Sequence, residues 1–315
     1  MKRAPAVAVV DIGSNSIKLL VAARGPRGRP VALLSRTIEA RISAGINRAR
    51  PRLNRRGMAR GLAAVRELLA GAAALKPRRT ILVATSAVRD AGNGREFRRR
   101  VKAKTGRTIR ILTGEEEATL IGRGLTCDPA LAGLKDFYVF DLGGGSLECL
   151  VFRRRRAVLA VSLPLGCVRL TEKFVPNPTR PFPRKAARGI ARAVRESLLQ
   201  SGFAFSLPAR AVAVGTGGTL TTVRAVLGAR AGRTLEQTSR RVTTAQLRGL
   251  LTRTGALTLA RRKKVAGLPP ARADVFPAAL ATVIAVARLG RIAAFRHSLY
   301  NLRWGLAADA LVRLG

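Results

Sequence analysis

Two short stretches carry most of the residues able to do chemistry. Asp11-Ile12-Gly13-Ser14-Asn15-Ser16-Ile17-Lys18-Leu19-Leu20-Val21 recurs as Asp141-Leu142-Gly143-Gly144-Gly145-Ser146-Leu147-Glu148-Cys149-Leu150-Val151. Small residues let backbone N–H groups close on an anion, and Ser and Asn side chains add donors. The Asp of each copy can reach a metal or a water. Two further signals join them. Arg89 carries the planar guanidinium that clamps a phosphate bidentately, and one of Glu115, Glu116 and Glu117 could activate a water. Transfer of a phosphoryl group to water needs a cradle for anionic oxygens, a cation, a base and in-line geometry. Gly13, Ser14, Asn15 and Ser16 with Gly143, Gly144, Gly145 and Ser146 offer the cradle. Asp141, and behind it Glu148 and Asp11, can hold Mg²⁺ with mostly water ligands. The ordinary roles of the same residues are a solvated Arg89 and a glutamate run that offsets a helix dipole.

These groups have to be positioned by the elements around them. Each copy of the repeat lies between apolar runs, Val7–Val10 and Leu19–Ala23 in the first, Phe137–Phe140 and Leu150–Phe152 in the second. A strand, a tight turn and a returning strand is expected of each. A repeat of this length predicts two similar halves facing each other across a phosphate-sized cleft. Val31–Ile42 contains a third strand, Ala157–Leu165 is its counterpart in the second half, and Ile81–Val88 reads as a buried strand. Apolar residues at helical spacing mark Arg55–Leu75. Helices are expected at Glu96–Lys104, from Glu115 to Ile121, and at Ala186–Leu199, with a strand at Ile109–Leu112. Gly, Pro and Asp make Gly124–Lys135 a linker. Strand Arg210–Val214 runs into Gly215-Thr216-Gly217-Gly218-Thr219 and a helix at Leu220–Leu227, a third, weaker anion-site signal. Phe276–Ala287 is too short to span a bilayer and suits a buried helix with Pro277 in its first turn. A helix closes the chain at Asn301–Leu314. Strands alternating with helices give an α/β fold. It divides into domains 1–125 and 126–315, with the helix 301–314 able to pack back on the first.

Composition narrows the function without choosing it. The 315 residues hold 59 Lys and Arg against 17 Asp and Glu, a net charge of +42. Such a field draws polyanions, although drift toward Arg would produce the same number. One Trp, two Tyr and ten Phe argue against base stacking as the main binding mode. Cys127, Cys149 and Cys167 show no CxxC or metal spacing and read as core residues in a reducing compartment. His297 is the only histidine. It reads as a packed or surface residue, and a His metal cluster or Ser-His-Asp triad is excluded. P-loop, GxGxxG and HExxH motifs are absent. Met1–Val10 imitates the start of a signal peptide, but Asp11 ends the apolar run and the segment reads as the first strand. The expectation is a soluble, cytoplasmic protein.

The runs VAVVDIGSNSIKLLVA, ATSAVRDAGN, ILTGEEEATLIG, VFDLGGGSLE, SLPLGCVRLTE and AVGTGGTLT, in that order, resemble the exopolyphosphatase/guanosine pentaphosphate phosphatase family, Ppx/GppA. RADVFPAAL and YNLRWGL add a fainter echo. The resemblance implies two ribonuclease H-like domains of the actin-like ATPase superfamily flanking a central cleft. It implies Glu117 as general base, with Glu115 and Glu116 in support at most. Asp141 becomes a Mg²⁺ ligand, Glu148 an acidic group near metal and water, and the two Gly/Ser loops phosphate cradles. K⁺ is a candidate activator. Leu147 stands where the family often has Thr, and Trp304 where it often has Glu. The C-terminal helical domain of long members is expected to be missing, which favours short chains.

Three functions follow as expectations. The first is a phosphoanhydride hydrolase, an exopolyphosphatase that takes the terminal phosphate of inorganic polyphosphate. The second is removal of the 5′-phosphate from guanosine pentaphosphate by the same residues. The third, remote, is a polyanion-binding protein without catalysis. The expected partners are the phosphate substrates, with no specific nucleic acid and no membrane, and the resemblance allows a homodimer.

Overall fold

The computed structural model describes residues 5–46, 50–208 and 211–314. The chain divides into two units, 1–133 with 300–315, and 134–299.

In the first unit, β1 (Ala6–Ile12), β2 (Ile17–Arg24) and β3 (Pro30–Ile38) form an antiparallel meander, followed by α1 (Arg55–Ala73), β4 (Arg79–Ala84), α2 (Ser86–Arg89), α3 (Gly94–Thr105), β5 (Ile109–Ile111) and α4 (Gly114–Thr126). The sheet order is β3-β2-β1-β4-β5, with β4 and β5 parallel to β1. Val7, Ala8, Val9 and Val10 are all buried, as expected of a central strand covered on both faces. Asn54 caps α1 by accepting from the Gly57 N–H at 2.6 Å.

The second unit repeats the plan. β6 (Phe137–Leu142), β7 (Leu147–Arg153) and β8 (Arg156–Leu163) form its meander, followed by α5 (Cys167–Phe174), α6 (Arg184–Gln200), β9 (Val212–Thr216), α7 (Gly217–Arg230), β10 (Arg241–Thr243), α8 (Thr244–Gly255), α9 (Leu259–Arg262), α10 (Phe276–Leu289) and β11 (Ala294–His297). The order is β10-β11-β9-β6-β7-β8, with β9 parallel to β6 and β11 parallel to β9. The sequence repeat is therefore a repeat of topology: a meander, with parallel strands added beyond its first member. α10 is apolar on nearly all sides and forms the centre of this unit's core. Among the described residues no helix is long and apolar enough to cross a membrane.

Three expectations need correction. The first unit ends at Gly133, not at residue 125; residues 300–315 join it, as the sequence allowed for the terminal helix. The segment read as a linker from Gly124 is helical through Thr126 and carries a 3-10 turn at Pro129–Leu131. Gly124 serves close packing there. α11 (Leu302–Val312) crosses α4 so tightly that a Cβ on Gly124 would lie 2.0 Å from the Asn301 carbonyl oxygen, and one on Gly305 2.2 Å from that of Leu120. The strand expected over Ile81–Val88 stops at Ala84, and Ser86–Arg89 turn as helix. The strand expected within Val31–Ile42 is β3, which ends at Ile38, and the chain beyond it folds back onto the first Gly/Ser loop. Of the strand expected at Arg210–Val214, Arg210 lies outside the described residues.

Candidate active site

Within the first unit, the turn from β1 to β2 closes with the Gly13 N–H donating to the Ser16 carbonyl at 3.1 Å. The returning segment after β3 takes up the loop's carbonyls. Ser14 O accepts from Ser43 N at 3.2 Å, and Asn15 O from Arg41 N at 2.8 Å. Among the described residues, the N–H groups of Ser14, Asn15 and Ser16 donate to no backbone acceptor. The loop therefore turns its acceptors inward and keeps its donors. Its side chains are fixed as well. Asn15 Nδ2 donates to Glu39 Oε2 at 2.5 Å, its Oδ1 accepts from Arg41 Nε at 3.0 Å, and Ser14 Oγ lies 3.0 Å from Ser86 Oγ. Glu39, Arg41 and Ser86 did not stand out in the sequence.

The second unit builds the same device from α5. Gly143 N–H donates to Ser146 O at 3.0 Å, while Cys167 N and Val168 N donate to the carbonyls of Gly143 and Gly144 at 3.0 and 2.9 Å. Arg169 Nε reaches Gly145 O at 3.2 Å. The N–H groups of Gly144, Gly145 and Ser146 again meet no backbone acceptor among the described residues. Gly166 makes the approach possible, because a Cβ there would come within 2.2 Å of the Gly145 backbone.

The two copies differ in one decisive residue. Asp11 faces Lys18 across β1 and β2, whereas Asp141 faces Glu148 across β6 and β7. Burial raises the Asp11 pKa, and the charges of Lys18 and Arg303 oppose the rise. A cation occupies the position where the second unit has its second carboxylate, so only the second unit pairs two carboxylates at its loop. Asp141 and Glu148 are 8% and 2% exposed. Ser162 Oγ donates to Glu148 Oε1 at 2.7 Å. Gly217, at φ +84°, carries the Asp141 carboxylate at its Cα, where a Cβ would sit 2.1 Å from Oδ1. The Gly-rich turn signalled in the sequence thus abuts the acidic pair. No group of three or more His, Cys, Asp or Glu able to hold a metal occurs among the described residues. Two carboxylate oxygens with the remainder from water nonetheless suit Mg²⁺, which keeps most of its hydration shell.

The glutamate run is sorted by α4. Thr113 and Glu116 form a capping box, and Glu116 also pairs with Arg110 at 2.5 Å. The Thr113 N–H and then Arg110 hold the Glu116 pKa down. Glu115 is exposed. Glu117 takes no part in the cap. It is 7% exposed, and its Oε2 accepts from Arg89 Nη1 at 2.9 Å. Arg89 also donates to Leu112 O and Asp90 Oδ1, both at 3.3 Å. In this structure Arg89 is the partner of Glu117. Arg272, which the sequence reading passed over, lies with its guanidinium against Gly218 and donates to Thr222 Oγ1 at 3.1 Å.

Comparison with known proteins places this geometry. A crystal structure of an exopolyphosphatase from Cytophaga hutchinsonii superimposes with a TM-score of 0.87 at 22% identity, over 98% of each chain. The Aquifex aeolicus Ppx/GppA enzyme superimposes at 0.76 and 24% identity, over 97% of this chain and 99% of that one. The fold is thus that of these structures, two ribonuclease H-like units each built on a meander extended by parallel strands. The model of the Ppx/GppA phosphatase family matches residues 20–314, and the chain belongs to that family. An uncharacterized protein of Streptomyces coelicolor is 31% identical over 272 residues, 84% of this chain and 78% of its own length.

Proposed function

We propose that the chain is an exopolyphosphatase, releasing orthophosphate from the end of inorganic polyphosphate. The observation that carries this reading is the duplicated loop, in which both copies bury their carbonyls and keep a row of amide donors for anionic oxygens. Amides fixed in advance favour charge as it develops on the transferring phosphoryl group. The terminal P–O–P bridge breaks, the water oxygen bonds to phosphorus, and Glu117 takes the water proton. The shortened chain leaves with the bridging oxygen. Arg89 fixes the Glu117 carboxylate and adds positive charge for the phosphoryl oxygens. Asp141 and Glu148 would hold Mg²⁺, which supplies charge neutralisation when bound. The surplus positive charge favours a long polyanion over a nucleotide as substrate.

The test is orthophosphate release from long-chain polyphosphate and from guanosine pentaphosphate, side by side with Mg²⁺, for wild type and Glu117→Gln. Removing a positioned base costs about 10²–10⁴-fold in rate. Release from polyphosphate that falls by that factor in the variant supports the proposal. Release from the nucleotide alone moves the assignment to a pentaphosphate phosphohydrolase. Salt-sensitive binding without release from either identifies a polyanion binder.

A further inference from the structure

The loops of the second unit lie at the C-terminal ends of β6 and β9. At the opposite end of the same strands the unit opens a cavity of about 730 Å³. Its wall includes Tyr138 at the start of β6, Val212 at the start of β9 and Phe295 in β11. Three residue steps of strand take Tyr138 to Asp141, roughly 10 Å of rise, so the cavity is distinct from the acidic pair.

Its lining combines two features. Tyr138, Phe205 and Phe295 belong to an aromatic cluster with Phe140 and Phe203, with ring centroids 5.3–6.3 Å apart. In a chain with so few aromatics, this concentration opens at the half-buried Phe205 instead of being sealed. The rim is Arg241, Arg291 and Arg296, all exposed, and among the described residues no Asp or Glu lines the cavity. Arg291 holds a left-handed backbone at φ +50° in the turn between α10 and β11, a conformation that costs a non-glycine residue energy.

We infer that this cavity is a second ligand site, for a nucleoside phosphate. The volume lies in the range of small-molecule sites. The half-buried Phe205, backed by the buried Tyr138 and Phe203, offers an apolar contact for a base, and the guanidiniums match phosphate oxygens. A second copy of the chain is a poor occupant, because it would bring the same +42 charge.

The probe is N-methylanthraniloyl-ADP, with inorganic tripolyphosphate as the ring-free control, both measured by equilibrium binding without turnover. The variants are Arg291→Gly with Arg296→Ala, Phe205→Leu, and Asp141→Asn. Glycine suits the φ of residue 291, so the arginine variant keeps its melting temperature. The expected result is nucleotide binding weakened about tenfold or more by the arginine pair. Phe205→Leu weakens the nucleotide but not tripolyphosphate, and Asp141→Asn leaves nucleotide binding unchanged. Three results overturn the inference: no nucleotide binding, binding insensitive to the arginine pair, or binding lost in Asp141→Asn. Because no product is measured, failure of the hydrolase reading would leave this result standing.

Discussion

His297 has both ring nitrogens engaged. Arg224 Nη1 donates to Nδ1 at 3.0 Å, which leaves the ring proton on Nε2, 3.2 Å from Thr221 Oγ1. The Thr221 hydroxyl in turn donates to the Gly217 carbonyl at 2.9 Å, behind the turn that abuts Asp141. Burial, then the charges of Arg224 and Arg240, lower the His297 pKa from 6.5 to about 3. The folded state therefore keeps the ring neutral, while the unfolded chain protonates it below its ordinary value. The stabilisation is complete above that value and is lost as pH falls from about 6.5 toward 3, at about 1.4 kcal/mol per pH unit. Urea unfolding between pH 6 and 4 should show this slope for wild type in excess of His297→Gln. A difference between the two that does not change with pH would remove His297 as its source. The sequence announced a lone histidine but could not show this burial, because its partners lie more than seventy residues away. Arg272 escaped notice for the same reason. The glutamates are the converse case: spacing left Glu115, Glu116 and Glu117 equivalent, the family resemblance singled out Glu117, and the capping hydrogen bonds and the Arg89 contact give the physical difference between them.

Turns carry the legible part of the fold, and helix contacts the illegible part. A Gly/Ser run between two apolar runs states a tight reversal in its own composition, so both loops and their flanking strands could be read directly. The segments that pin those loops, residues 41–43 and 166–169, do so mainly through backbone N–H groups, whose role side-chain pattern does not state. Gly124 shows how composition misleads. Beside Asp128 and Pro129 it reads as part of a linker, yet it is the point where the backbones of α4 and α11 meet. Gly124→Ala would drive a methyl into the Asn301 carbonyl, which cannot swing away as a side chain tip could. The expected cost is about 1–3 kcal/mol, in the range of overpacking, although alanine is the better helix former. Thermal unfolding of this variant beside Gly133→Ala, where an added Cβ meets nothing within 4 Å, gives the comparison. Equal melting temperatures would mean that the two helices do not depend on this contact.

At the scale of the whole chain, the charge has two uses that its total conceals. Part is structural. Arg262 is buried and donates to the carbonyls of Thr254, Leu257 and Ala273 at 2.8, 2.7 and 3.1 Å. Arg224 holds the Ser239 carbonyl at 3.0 Å in the same way. Burial lowers both pKa values, yet a guanidinium with several carbonyl acceptors keeps its proton. Such residues fasten irregular segments and contribute little to capture of an outside ligand. The larger part lies outside, since 17 carboxylates cannot neutralise 59 basic side chains, and exposed pairs such as Arg36–Glu67 hold little energy. If this outer charge gathers polyphosphate, its action is long-range and salt must screen it, with a Debye length near 10 Å at 0.1 M falling to about 3 Å at 1 M. Raising NaCl from about 0.05 to 0.5 M should then raise KM for long-chain polyphosphate by about tenfold or more. Over the same range kcat should change less than about twofold, because the roles proposed for the amides and Glu117 are exerted at contact distance. Tripolyphosphate spans few of the distributed charges, so its KM should rise far less. Parallel salt dependence for the two substrates, or none, would assign the excess arginine to compositional drift and leave substrate capture to the loops alone.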